Sequence, residues 1–189
     1  MLEGAKECLR TKGYARTTAR DLVAASGANL SSIGYHFGSK DALLAEALDE
    51  LFMEYTERLT AAAGGDPSMS ALARVAESWR QMLAEMPEHE PMMLAFVESV
   101  GPSVRSPELR EKLADHYQRT RDAVAESVRE SLGDAPGADP DVIASYLIAV
   151  YDGLMIQFLV DPSRTPTGEQ LATSVGAAIA AALGRSELG

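Results

Sequence analysis

The chain has 189 residues, 46% of them hydrophobic and 24% charged, which excludes general disorder and fits one or two globular domains. Its single cysteine, Cys8, excludes an internal disulfide framework and a cysteine-based zinc site, and suits a reducing, cytoplasmic setting. The net charge of −11 argues, taken over the whole chain, against nucleic acid as a partner, but the charge is unevenly spread. Residues 1–50 hold 6 Lys+Arg against 7 Asp+Glu, and within Arg10–Lys40 five basic residues (Arg10, Lys12, Arg16, Arg20 and Lys40) face one acid, Asp21. A local basic patch of this kind is the footprint of a phosphate-binding surface, and an acidic remainder keeps the rest of the molecule away from it. The opening Met1-Leu2-Glu3-Gly4 lacks the basic-then-apolar pattern of a signal peptide.

Apolar spacing is helical along the whole chain, with no convincing period-2 strand, so the expected fold class is all-α. Leu2, Ala5, Cys8 and Leu9 make one face of a first helix, ended by Gly13 as a left-handed cap. Thr17 or Thr18 caps a second helix through a capping-box variant with Asp21. Gly27-Ala28-Asn29 is a tight turn, with Asn29 able to cap a third helix of about two turns, Leu30–Phe37. Ser39 caps a long fourth helix from about Lys40 to Ala63, carrying Leu44, Leu48, Leu51, Tyr55 and Leu59 and ended by Gly64-Gly65-Asp66-Pro67.

Leu72, Val75, Ala76, Trp79, Leu83 and Met86 mark the next helix, which is expected to stop near Pro87. A short helix with Met92, Met93, Phe96 and Val97 should follow, ending at Gly101-Pro102, and another should start at Ser106-Pro107 and run to Gly133. After a Pro136–Pro140 linker, Val142–Val160 has 15 apolar residues in 19, near the length of a membrane span. Asp152 at its centre would cost about 2.5–3.5 kcal/mol in a bilayer. We therefore read a helix buried nearly all round inside protein, and no membrane partner. A final helix runs over Gln170–Leu183.

Two short helices joined by a three-residue turn form a helix-turn-helix, whose second helix fits the DNA major groove. Ser31 and Ser32 are short enough to reach phosphates or base edges, and Tyr35, His36 and Lys40 can donate to phosphate oxygens. Each of these residues alone would pass for an ordinary polar surface residue; their grouping is what points to DNA.

The blocks Lys12-Gly13-Tyr14, Thr17-Thr18, Asp21-Leu22, Ser26-Gly27-Ala28-Asn29 and Ile33-Gly34-Tyr35-His36-Phe37-Gly38-Ser39-Lys40-Asp41-Ala42-Leu43 resemble the DNA-binding domain of the TetR family of transcriptional regulators. The match covers roughly Met1–Leu48. The resemblance implies phosphate contacts from Thr17 and Thr18, a base-reading face of Ala19, Leu30, Ser31, Ser32 and Tyr35, and backbone contacts at Gly34, His36 and Lys40. Gly34 departs from the Tyr or Asn of many members, so that contact is absent or passes to Tyr35. No basic arm precedes the first helix in this sequence, and no minor-groove contact is expected. The implied organisation is a helix-turn-helix domain over residues 1–46 and a helical ligand-sensing and dimerising domain over residues 47–189. The implied partners are palindromic double-stranded operator DNA, a second copy of the chain and a small, largely apolar effector that releases a repressor from DNA.

The residues themselves allow both further roles. The apolar Val142–Val160 helix and the last helix, with Gly176, Ala178 and Ala182 between Leu171, Val175, Ile179 and Leu183, would build a four-helix dimer interface, or else a single-chain core. Trp79, Met82, Met86, Met93, Phe96, Tyr117, Tyr151, Met155 and Phe158 are large, adaptable side chains that would line a pocket, or else plain core. Asp152, Gln157 or His116 would orient a ligand there. No Walker loop, GxSxG or HExxH motif occurs, and Glu88-His89-Glu90 reads as a solvated loop, so neither enzyme activity nor a cofactor is expected. A DNA-binding dimer without a small-molecule effector is the competing reading, ahead of an all-α carrier or enzyme.

Overall fold

Capping and burial account for a chain that is helical throughout its ordered elements. The computed structural model describes residues 1–63, 71–132, 137–175 and 177, and among these there is no strand. The elements are α1 (Leu2–Lys12), α2 (Ala19–Ser26), α3 (Leu30–Phe37), α4 (Lys40–Ala63), α5 (Ala71–Arg105), α6 (Pro107–Leu132) and α7 (Pro140–Val160). A 3₁₀ turn, Pro162–Arg164, follows, and residues 168–175 are helical. The expected stops at Gly64-Gly65-Asp66-Pro67, Gly133 and Pro136 lie outside the described residues, as do Gly176, Ala178, Ile179, Ala182 and Leu183 and the side chains of Leu59, Leu72 and Val75.

The caps are local and follow the sequence closely. Thr18 closes a full capping box with Asp21, the Asn29 side chain accepts from the Ser32 N–H, and Ser39 Oγ accepts from the Ala42 N–H at 3.0 Å. Asp139 accepts from the N–H groups of Asp141 and Val142 at the start of α7. Gly13 differs from expectation. Its φ of 79° and ψ of 175° lie outside the left-handed helical region, in territory open essentially to glycine alone. Gly4 is needed for another reason: a β-carbon there would lie 2.8 Å from the Ser26 nitrogen, so its absence lets α1 press against the end of α2.

α4 is the spine, packed against α1 and α3 at its start and against α5 and α6 along its length. One continuous core runs from Leu9, Leu22 and Ile33 through Leu44, Leu48 and Phe52 to Met86, Met93, Phe96 and Met155. Lys6 of α1 fastens the joint from the side, its buried ammonium 2.7 Å from Glu50, 2.8 Å from Glu54 and 3.2 Å from Glu3. These carboxylates, Glu50 foremost, hold its pKa well above the ordinary lysine value.

Two expectations are corrected. α5 does not stop at Pro87; it continues through Pro87, Pro91 and Pro102 as a single helix, and Glu88-His89-Glu90 stands on it rather than in a loop. A proline within a helix costs about 3 kcal/mol. Pro87 and Pro91 lie on the exposed side, while Leu83, Met86, Met92, Met93, Ala95 and Phe96 are buried opposite. Burying each large apolar side chain gains about 1.5–3 kcal/mol, which outweighs the breaks. α7 is likewise not buried all round. Ala144, Leu154, Met155 and Phe158 are buried, but Val142, Tyr146, Ile156 and Val160 are 50–80% exposed and form an uncovered apolar face. By length and composition α7 could cross a membrane; in this fold it packs against α5 and α6.

Candidate nucleic-acid interface and ligand cavity

The α2–turn–α3 unit is built from its caps outward. Ile33 is buried and pins α3 to the core, which turns the opposite side of the helix to solvent. On that side Tyr35 is 85% exposed and Leu30 59% exposed, with Ser31, Gly34 and His36 exposed beside them. The Tyr35 and His36 rings stack edge-on, with centroids 4.8 Å apart. Both serine hydroxyls donate to one oxygen, Asn29 Oδ1, Ser31 at 2.6 Å and Ser32 at 2.9 Å, and the Ser32 N–H joins them at 3.0 Å. The N-cap therefore holds two hydroxyls at the tip of α3, from which they can rotate toward an incoming acceptor.

The other expected contacts divide. Thr18 is exposed at the start of α2, with Ala19 half-buried behind it. Thr17 faces inward: it is buried, and its hydroxyl donates to the Gly13 carbonyl at 2.6 Å. Its side chain is spent on closing the α1–α2 turn. Lys40 is half-buried; its ammonium donates to the Thr17 carbonyl at 3.2 Å, lies 3.0 Å from Asp41 and sits 5.9 Å above the Tyr14 ring. The basic patch is thinner than the sequence count. Lys12 is paired with Asp21, and Arg10 lines a cleft with Glu54 and Glu88, away from α3. Arg16 and Arg20 remain exposed next to the α2 N-terminus, Arg16 with its Nε donating to the Lys12 carbonyl at 2.9 Å.

Between α4, α5, α6 and α7 lies a cavity of about 160 Å³. Trp79, Met82, Phe96, Tyr117 and Tyr151 line it, as expected from their type. Met86, Met93, Met155 and Phe158 do not; they are interior packing residues of the continuous core. The wall also includes Phe52, Tyr55, Thr56 and Thr60 from α4 and Thr120 and Val124 from α6, none of which was singled out by size and softness. Of the polar candidates, Asp152 and His116 line the cavity, whereas Gln157 is exposed and donates back to the Gly153 carbonyl. Tyr117 donates to Asp152 Oδ2 at 2.8 Å. Burial pushes the Asp152 carboxyl up from its ordinary value, and the Tyr117 bond only partly offsets this. Burial also raises the Tyr55 hydroxyl to about 12. His116 Nδ1 faces Asp49 at 2.8 Å, and the other Asp49 oxygen accepts from Arg119 at 2.6 Å. Burial opposes ionisation of Asp49, but these two partners outweigh it and lower the pKa.

α5 also touches the reading unit. The Ala15 N–H donates to Glu98 Oε2 at 2.9 Å, two residues beyond cavity-lining Phe96. One carboxylate thus ties the cavity wall to the turn that leads into α2.

Comparison with known proteins matches both halves. Residues 1–47 match the bacterial regulatory proteins of the tetR family, and residues 71–184 match the BetI-type transcriptional repressor C-terminal family. The HTH-type transcriptional repressor Rv1474c of Mycobacterium tuberculosis is 31% identical over 177 residues, 87% of this chain and 84% of that protein. Among solved structures, the TetR family repressor AlkX from a Dietzia strain, implicated in biodegradation of n-alkanes, superposes with a TM-score of 0.64 at 16% identity, over 97% of this chain and 93% of that one. The transcriptional regulator FadR of Bacillus subtilis, in complex with stearoyl-CoA, gives 0.66 at 14% identity, over 92% of each chain. These relatives are regulators rather than enzymes. With an exposed helix-turn-helix on a larger helical body, and matches to both parts, the chain belongs to the TetR family of bacterial transcriptional regulators.

Proposed function

We propose that this protein is a ligand-responsive repressor, a homodimer that leaves palindromic operator DNA in the cytoplasm when a small, largely apolar molecule fills the cavity. The observation that carries the reading is the pairing of an outward face on α3 with an aromatic cavity about α4, α5, α6 and α7, joined by α4 and by the Glu98–Ala15 hydrogen bond. On this reading Ala19, Leu30, Ser31, Ser32 and Tyr35 read bases, and Thr18, Gly34, His36 and Lys40 lie along the DNA backbone with Arg16 and Arg20 beside them. Thr17 acts through the fold rather than by touching DNA. The exposed apolar face of α7 is the surface a second copy covers, which sets two recognition helices on a two-fold axis and calls for a palindromic site.

Footprinting on the DNA beside its own gene, followed by mobility shift with and without candidate effectors, tests the proposal. A symmetric protected site and a ligand that weakens binding are the expected results. By linkage that ligand must bind the DNA-bound dimer less tightly by the same factor, commonly about 5–150-fold. A symmetric site with no response to effectors, together with unchanged Trp79 emission, would leave a constitutive DNA-binding dimer instead.

A further inference from the structure

The outward face of α3 is poor in groups that read bases by paired hydrogen bonds. Its eight residues, LSSIGYHF, include no arginine, lysine, asparagine or glutamine. Those are the side chains that pick out guanine or adenine bidentately in the major groove. Asn29, at the cap, is already spent. Its Oδ1 accepts from the Ser32 N–H and from the hydroxyls of Ser31 and Ser32. A serine hydroxyl serves as donor or acceptor alike, so it discriminates weakly among bases. Sequence choice along this helix needs another source.

Leu30 supplies one. It is the first residue of α3 and stands 59% exposed, whereas Ile33, one turn on, is buried. When the second helix of a helix-turn-helix enters the major groove, its N-terminal residues meet the base edges. A leucine makes no hydrogen bond there, and the base edges offer it one apolar partner, the C5 methyl of thymine. The helix surface around Leu30 favours a close approach. Residues four apart share a stripe, so Ser31 and Tyr35 carry the polar groups on one stripe while Leu30 and Gly34 lie on the next. Nothing lies within 4 Å of where a β-carbon on Gly34 would stand. The stripe beside Leu30 is therefore open, and a methyl-bearing groove wall can come up against it.

We propose that Leu30 selects a thymine in each operator half-site by packing on its C5 methyl. This rests on the reading of α2 and α3 as the operator-binding unit and specifies what one residue of it recognises. The test uses the full chain and its footprinted operator, titrated by fluorescence anisotropy. Each thymine is replaced in turn, symmetrically in both half-sites, by deoxyuridine, which deletes the methyl and keeps every hydrogen-bonding group. One position should weaken binding by about fourfold for each half-site, about fifteenfold for the pair, as expected for one buried methyl group. Leu30→Ala should bind the parent and substituted operators equally at that position, and should keep any effect of other thymine methyls. Leu30 is exposed, so the variant should melt with its parent; the deoxyuridine scan on the unaltered protein decides the matter even if it does not. A scan in which no deoxyuridine lowers affinity, or a loss of the same size in a folded Leu30→Ala, would overturn the inference. Specific binding to a symmetric site that ignores thymine methyls refutes the role of Leu30 and keeps the operator-binding unit. Failure to find any specific site refutes the unit itself.

Discussion

Lys6→Met tests the joint between α1 and α4. The substitution keeps most of the stem's packing and deletes the charge that Glu3, Glu50 and Glu54 surround. The lysine side chain is 6% exposed, but the three carboxylates are 82%, 41% and 59% exposed, so its loss strands no buried anion. The heavy penalty of breaking a buried ion pair therefore does not apply. Three partly exposed pairs at about 0.2–1 kcal/mol each give about 1–3 kcal/mol, and relief from burying an ammonium trims this to about 1–2 kcal/mol. For a chain of this length that is a fall in thermal midpoint of about 2–8 °C. Calorimetric melts of parent and variant at equal protein concentration, in low salt and again near 1 M salt, measure it. The gap should shrink at high salt, where the screening length is about 3 Å. A variant that melts with its parent at low salt, or a gap that salt leaves intact, would refute the electrostatic account and assign Lys6 to packing alone.

Thr18→Ala removes one half of the α2 capping box and should cost about 0.5–2 kcal/mol, read from the urea midpoint; an unmoved midpoint would discard the cap. Gly34→Ala should raise stability by about 0.5–1 kcal/mol, because nothing lies within 4 Å of the added carbon; a lower melting temperature would contradict this. Asp152→Asn should stabilise the ligand-free protein at neutral pH. A carboxyl with a raised folded pKa favours the unfolded state as pH climbs past its ordinary value, so the advantage should vanish on acidification below that value. An advantage that persists unchanged into acid would mean burial of charge is not its source.

The caps were readable because they act over three residues: Thr18 with Asp21, Asn29 with Ser32 and Ser39 with Ala42 each need nothing beyond their own turn. Asp152 stood out as a lone charge in an apolar helix, and it does line the cavity. What failed to show were facts decided by distant neighbours. Pro87 is a stop signal by local rules, yet burial of Met86 and Met92 on either side of it carries α5 through. Met86 and Met93 have the same softness as Met82, but only Met82 borders open space. Thr56 and Thr60 reach the wall while looking like surface residues in a periodicity count. Thr17 and Thr18 are adjacent and alike, and only the position of the Gly13 carbonyl determines that the first turns inward.

The bond from the Ala15 N–H to Glu98 bears on how freely such regulators can be recombined. A reading head spliced onto a foreign sensor would meet whatever side chain stands at the position of Glu98. Without an acid there, the turn loses its anchor. A side chain in place of Gly13 would put its β-carbon 3.2 Å from that carboxylate, in a backbone conformation it resists. Position 98 and the 13–15 turn therefore form a compatibility lock, and a working hybrid has to inherit both sides of it together.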